Sequence, residues 1–171
     1  MATSPSTDNY QIGKGVVSIS EDDGVTWRDV GNVPVFEWTP SVDKLDHFSS
    51  REGVKTKDKS VAITVAATLK MTMDEITADN LAILVLGEVD SDTDGDHSIV
   101  SMTEDSVEVL VKFEGSNTVG LQVDFIGKVS FTPTGSFNPI SDEWNTLEVT
   151  GDMVLHDDYG LGKWTVHDAE A

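Results

Sequence analysis

The sequence predicts a mainly β protein, an antiparallel β-sandwich or half-barrel with one short flanking α-helix. Three observations carry that expectation. Segments in which apolar and polar residues alternate recur along the chain, which is the period of a half-buried strand. Turn residues such as Asp23-Gly24 and Gly115-Ser116-Asn117 separate neighbouring segments at hairpin spacing. Only one stretch, ending in Leu81–Leu86, is a compact apolar block with a capping signal before it and a glycine after it.

The elements follow in order. Met1–Asn9 is rich in Ser, Thr and Pro and reads as a disordered arm, leaving residues 10–171 as a single β domain. Val16, Val17 and Ile19 suggest a first strand, Asp23-Gly24 a tight turn, and Val25-Thr26-Trp27 a short returning partner. In Val35–Val42, Phe36, Trp38, Pro40 and Val42 share one side and Glu37, Thr39, Ser41 and Asp43 the other, with Pro40 marking an edge, a bulge or the strand's end. Lys44–Lys59 reads as a long polar loop. Val61–Met71 alternates again, with Val61, Ile63, Val65, Ala67, Leu69 and Met71 on one face. Thr72-Met73-Asp74-Glu75 fits a capping box, Thr77 is a rival start, and Gly87 is the expected C-terminal stop of the helix. After an Asp-rich loop, alternation resumes over Val107–Phe113, Val119–Phe131 (Gly127 suggesting a bulge) and Leu147–Leu155, with a last short strand around Trp164 and Val166. The total is roughly eight strands, mostly joined as hairpins, with no internal repeat.

Composition narrows the function. Eleven Lys and Arg stand against 31 Asp and Glu, a formal net charge of −20. Such a surface repels phosphate backbones and anionic membranes, so non-specific binding to either is not expected. The chain has no Cys, which excludes a disulfide scaffold, a thiol nucleophile and a Cys-ligated zinc site. Its longest apolar run is Leu81–Leu86, against the roughly 20 residues a spanning helix needs, so no membrane insertion is expected. MATSPSTDNY has neither a basic n-region nor an apolar core, so a secretory signal is not expected.

No enzyme is expected, and no cofactor. Neither a Gly-x-Ser-x-Gly elbow nor His-Glu-x-x-His occurs, and His47, His97, His156 and His167 are scattered singly. Gly160-Leu161-Gly162-Lys163 lacks the third glycine and the following helix of a phosphate cradle. The run Asp90-Ser91-Asp92-Thr93-Asp94-Gly95-Asp96 matches the first half of a calcium loop, with Asp90, Asp92, Asp94 and Asp96 as alternate carboxylates. The second half fails, because Ser101 stands where the bidentate Glu belongs, so a solvated acidic loop is the first reading and a calcium site the alternative. The stretch Asp43–Lys59 concentrates Arg51, Lys55, Lys57 and Lys59 in an acidic chain and adds Leu45 and Phe48. These six residues suit an interface with acidic surface on another copy of the chain.

The order of elements and several local phrases resemble the tail tube proteins of long-tailed, non-contractile bacteriophages. The phrases are Val42-Asp43-Lys44-Leu45-Asp46-His47-Phe48-Ser49-Ser50, then Met71-Thr72-Met73-Asp74-Glu75, then Asn80-Leu81-Ala82-Ile83-Leu84-Val85-Leu86-Gly87. In the C-terminal half they are Leu121–Phe131 and Glu143–Leu155, the latter running into His156-Asp157. The resemblance covers about Tyr10 to Trp164, although Glu88–Asp96 matches no family phrase. It implies a virion structural protein whose hexameric rings stack into a hollow tube, alongside other tail proteins, after assembly in the host cytoplasm. DNA would pass through the lumen without specific binding. An acidic wall suits that passage, and Glu37, Asp124, Glu148 and Asp152 are the expected lumen-facing residues. Two alternatives remain open: an injection-tube protein of a secretion apparatus, and an extracellular β-sandwich binding module, with or without calcium.

Overall fold

A computed structural model describes residues 5–92, 94–132 and 134–167. Of the stretch read as an arm, residues 1–4 lie outside the described residues, and Thr7–Asn9 form one 3-10 turn capped by the Ser6 side chain. The first half of the chain supplies β1 (Gly15–Ser20), β2 (Arg28–Asp29), β3 (Val35–Ser49), β4 (Thr56–Met73) and the helix α1 (Ala78–Val85). The second half supplies β5 (Val89–Ser91), β6 (His97–Ile99), β7 (Val107–Gly115), β8 (Val123–Thr132), β9 (Leu147–Val154) and β10 (Lys163–Val166). Eight strands form one antiparallel sheet in the order β2-β1-β7-β8-β9-β4-β3, with β10 attached to β8, and β5 and β6 pair separately.

The sheet forks at β8. Val123–Ile126 pair with β10 and Lys128–Thr132 pair with β9, while β7 runs along the opposite edge. Gly127 sits at the handover. The Val111↔Gly127 register passes through it without a shift, so no bulge is present. A Cβ there would lie 2.6 Å from Met153 Cε and 3.1 Å from Gly162 Cα, so the glycine is required by close approach. Beyond the fork the sheet curls. Phe36 of β3 stacks on Phe113 of β7 at 5.4 Å between centroids and meets Phe125 of β8 edge-on at 5.6 Å. Trp38 meets Trp164 of β10 at 6.1 Å and donates its indole N–H to the Leu161 carbonyl. The result is an open half-barrel. Among the described residues its lips do not pair, and a groove of ≈ 300 Å³ lined by Phe36, Phe113, Val123 and Trp164 remains between them.

The core lies inside this curl. Val17, Ile19, Leu69, Met71, Val111, Phe125, Val129, Phe131, Leu147 and Val149 all point inward, and Ile83 and Leu84 of α1 close the structure at one end. Thr77 caps the helix by accepting from the Asn80 amide, while Thr72 is part of β4, so the rival start is the real one. The left-handed terminal residue is Leu86, at φ 48, and not Gly87. Gly87 is needed for space, since a Cβ there would meet Ile99 Cγ2 and the Val100 carbonyl at 2.6 Å.

Other expectations are corrected. The partner of β1 is Arg28–Asp29, displaced from Val25–Trp27 because Asp22 organises a wider turn. Its carboxylate accepts from the Ser20 hydroxyl at 2.7 Å, the Thr26 amide at 2.8 Å and the Thr26 hydroxyl at 2.5 Å. Asp23 and Gly24 do take positive φ, at 58° and 93°. Val119 and Leu121 are not in a strand, because Gly120 turns at φ 80° and the buried Asn117 amide donates to the carbonyls of Val119, Gly120 and Leu121. Lys44–Lys59 is not a loop: Lys44–Ser49 continue β3, Thr56–Lys59 begin β4, and the turn between them is residues 50–55.

Two consequences are testable. Asn80 is fully buried and joins three segments: Nδ2 donates to the carbonyls of Val30 (2.9 Å) and Glu75 (3.0 Å), and Oδ1 accepts from Arg28 Nη1 (2.6 Å). Asn80→Ala leaves those groups unpaired, and the urea midpoint should fall by the equivalent of about 1–3 kcal/mol at unchanged slope. The Thr26 hydroxyl, then the Thr26 amide, then the Ser20 hydroxyl hold the Asp22 carboxyl down from 3.8 to about 2. A depressed carboxylate stabilises the fold above its ordinary value. That contribution should therefore be complete above pH 3.8 and disappear as pH falls through about 2. Asp22→Asn should remove this acid-dependent component, read from melting temperatures between pH 5 and 2.

Candidate functional site

The most unusual feature is a two-stranded arm. Trp38 and Ala67 are the last partly or fully buried residues of β3 and β4 before both strands leave the body. From Thr39 to Ser49 the ladder continues, which extends the hairpin by about 35 Å. Register shifts occur at Asp43/Lys44 and His47/Phe48, where Ile63 and Asp58 are the extra residues on β4. Pro40 lies on β3, an edge strand that pairs with β4 alone, so its missing N–H breaks no ladder.

Inside the arm, polar side chains fasten the strands. Asp46 accepts from the Ser60 hydroxyl at 2.6 Å and pairs with Lys57 at 2.7 Å. The Lys57 hydrogen bond, then that from Ser60, holds the Asp46 carboxyl below its ordinary range. His47 Nδ1 lies 2.6 Å from Asp58 Oδ1. Leu45, Phe48, Arg51, Lys55, Lys57 and Lys59, the six expected interface residues, are all on this arm and all exposed. Lys57 is engaged by Asp46. Arg51, Lys55 and Lys59 make no ion pair among the described residues. Sequence reading missed Val42 and Ile63 as arm-surface residues. They are 49% and 64% exposed, and the alternation over Val61–Met71 was the signal that a strand reached this far.

Charge is divided along the same line. Thr39–Ala66 carries Lys44, Arg51, Lys55, Lys57 and Lys59 against Asp43, Asp46, Glu52 and Asp58, a balance of +1, leaving −21 for the rest of the chain. The arm is thus an apolar and mildly basic projection from a strongly acidic body.

A second feature is the polar face of the sheet. Glu37 pairs in register with Lys70, Glu148 with Thr72, and Asp152 with both Thr68 and Ser130. These residues alternate with the core set Phe36, Met71, Val149 and Val129, so Glu37, Glu148 and Asp152 share the face turned away from the core. The face is not purely acidic: Lys70 binds Glu148 at 3.0 Å and Lys128 approaches Glu108 at 3.6 Å. Asp124 stands apart, on the part of β8 that pairs with β10. It accepts from the Gly115 amide at 2.9 Å and contacts His167 Nε2 at 2.5 Å. Burial raises its pKa, but the Gly115 amide and His167 outweigh that and hold it below the ordinary range. Its geometry fastens the end of β10.

The Asp-rich run forms the turn between β5 and β6. Asp92 Oδ1 accepts from the amides of Asp94 (2.9 Å) and Asp96 (3.1 Å), and the Asp92 amide donates to the Asp96 carbonyl. Thr93 lies outside the described residues. Among the described residues no three His, Asp or Glu side chains come together as a metal site, and no helix is long and apolar enough to cross a membrane.

No curated protein matches the chain. A family model described as "Protein of unknown function UCP028589" matches residues 10–98, a span that includes β1, the whole arm, α1 and β5. The matched span exceeds half of the chain, which therefore belongs to that family.

Proposed function

We propose that this protein is the repeating subunit of a phage tail tube, a virion structural protein whose hexameric rings stack into a conduit for DNA. The observation that carries the reading is the arm. A two-stranded ribbon with solvent on both faces has little independent stability, and exposed apolar side chains on it signal a surface that another chain covers. The likeness to tail tube proteins in the phrase Val42–Ser50, which lies on this arm, points to the kind of assembly.

In this reading the arm joins subunits or rings, and the polar face with Glu37, Glu148 and Asp152 lines the lumen. The lysines on that face moderate its charge. Glu148 is matched by Lys70, whereas Glu37 and Asp152 make no ion pair among the described residues, so they supply the negative potential that keeps DNA from adhering. The role needs no catalytic group and no cofactor. The working place is the virion tail, reached after assembly in the host cytoplasm beside other tail proteins.

Electron microscopy and sedimentation of the concentrated protein test the assembly. Rings or tubes are expected, and association should strengthen with ionic strength, because salt screens repulsion between acidic bodies over about 8 Å at physiological concentration. Replacing Arg51, Lys55 and Lys59 together by Glu should block assembly and leave the melting temperature of the monomer within about 1–2 °C, since these exposed side chains bear little on the fold. Lys57 is left in place because it holds Asp46. A wild-type chain that stays monomeric at millimolar concentration across salt, or a triple variant that assembles normally, would count against the reading.

The lumen assignment has its own test. Tubes of Glu37→Lys with Asp152→Lys should retain DNA at low salt and release it as salt rises. Indifference of DNA passage to both exchanges would remove these residues from the wall.

A further inference from the structure

We infer that the tip of the arm docks on the loop of residues 138–145 of a second copy of this chain, so that copies join head to tail. The inference rests on the self-assembly proposed above and names the surface that receives the arm.

The receiving loop lies between β8 and β9. It exposes Ile140 by 86% and Trp144 by 98%, with Asp142 and Glu143 between them. Local bonds hold it in this form: the Ile140 amide donates to Asn138 Oδ1 at 3.1 Å, and the Glu143 amide donates to Ser141 Oγ at 3.0 Å. Tryptophan carries one of the largest apolar surfaces of any residue and is enriched among the anchors of interfaces. A tryptophan left outside the core, beside an isoleucine and two carboxylates, presents an apolar anchor with an acidic border.

The arm tip offers the complement. Phe48 is half exposed and Val54 is 86% exposed, and Arg51, Lys55 and Lys59 surround them. Apolar groups can meet Ile140 and Trp144 while the cations meet Asp142 and Glu143.

Geometry prevents one chain from making this contact with itself. Trp144 is three residues before Leu147, so it lies within about 10 Å of that residue. Leu147 pairs with Met73, the last residue of β4. The arm tip lies before Thr56, the first residue of the same 18-residue strand, roughly 55 Å away along its length. Anchor and tip are at opposite ends of the molecule. Their contact joins unlike surfaces, the kind of interface that continues from copy to copy without saturating in a dimer.

The absence of cysteine makes a direct test simple. Equal amounts of Val54→Cys and Ile140→Cys proteins are mixed under mild oxidation, and disulfide-linked pairs are counted by mass spectrometry. The mixed pair is expected at least tenfold above either homodimer and above a control pair of Val54→Cys with Val25→Cys, which lies on a different exposed loop. Asp142→Lys with Glu143→Lys in the Ile140→Cys partner should reduce the mixed yield, and Arg51→Glu with Lys55→Glu in the Val54→Cys partner should restore it. Trp144→Ala should abolish rings or tubes at an unchanged melting temperature. Equal yields for all pairs, or tubes from Trp144→Ala, overturn the docking while leaving self-assembly standing. A wild-type chain that never associates overturns both.

Discussion

One strand belongs to two structures at once. From Thr68 to Thr72, β4 is an interior strand, hydrogen-bonded to β3 on one side and to β9 on the other, and Leu69, Met71 and the following Met73 are wholly buried. Its last pairing with β9 is Thr68↔Asp152, and from there toward Thr56 only β3 accompanies it. No hinge separates the halves, because the ladder runs unbroken through the exit point. The core therefore sets the direction in which the arm leaves, and the strand's own twist is carried outward with it. A flexible loop of the same composition would pay the entropy of ordering on contact, whereas a ribbon already laddered pays less of it.

The body is built to hold that strand firmly. The fork at β8 divides the sheet between β9, which supports β4, and β10, which crosses beneath Trp38. Phe125 touches Phe36, and its ring lies 4.6 Å from that of Trp164, so one aromatic group joins the β10 branch to the root of β3. Three glycines keep the branches close. A side chain at Gly127 would strike Met153, one at Gly151 would meet the Ser130 carbonyl at 2.5 Å, and one at Gly162 would strike Phe125. Aromatic contacts hold the curl from inside, and among the described residues no backbone ladder joins its lips.

The fold was legible wherever one face of an element is buried. Val107–Phe113, Leu147–Val154 and the β4 segment around Leu69 and Met71 alternate because core and solvent impose opposite demands on successive residues. The arm has solvent on both faces, so that demand is absent, and two register shifts break the phase of what alternation remains; Lys44–Lys59 therefore read as loop. Its charge and its lone apolar residues were nonetheless visible, since composition needs no phase. Val119–Leu121 failed in the opposite way. The alternation was there, but Gly120 and the buried Asn117 impose a turn that a binary pattern does not encode. The shared face of Glu37, Glu148 and Asp152 was legible, because it needs only strand parity. The pairing of Lys70 with Glu148 and the fastening of Asp124 by Gly115 and His167 depend on which strands are neighbours, and local sequence does not contain that.

The division of charge constrains how copies can meet. Contact between two bodies brings −21 against −21, and contact between two arm tips brings Arg51, Lys55 and Lys59 against their own copies. Only arm against body joins opposite signs. At a distance the acidic bodies dominate, because the arm's net charge is +1, so dilute subunits at low salt repel one another. At the proposed contact the balance would reverse: apolar side chains on the arm would lose water, and cations and carboxylates would pair over separations that salt screens least. In the proposed assembly, repulsion at long range with attraction at short range would oppose premature association and select a single polarity. The proposed polarity would follow from β4, whose two ends hold the arm tip and the loop of residues 138–145 apart.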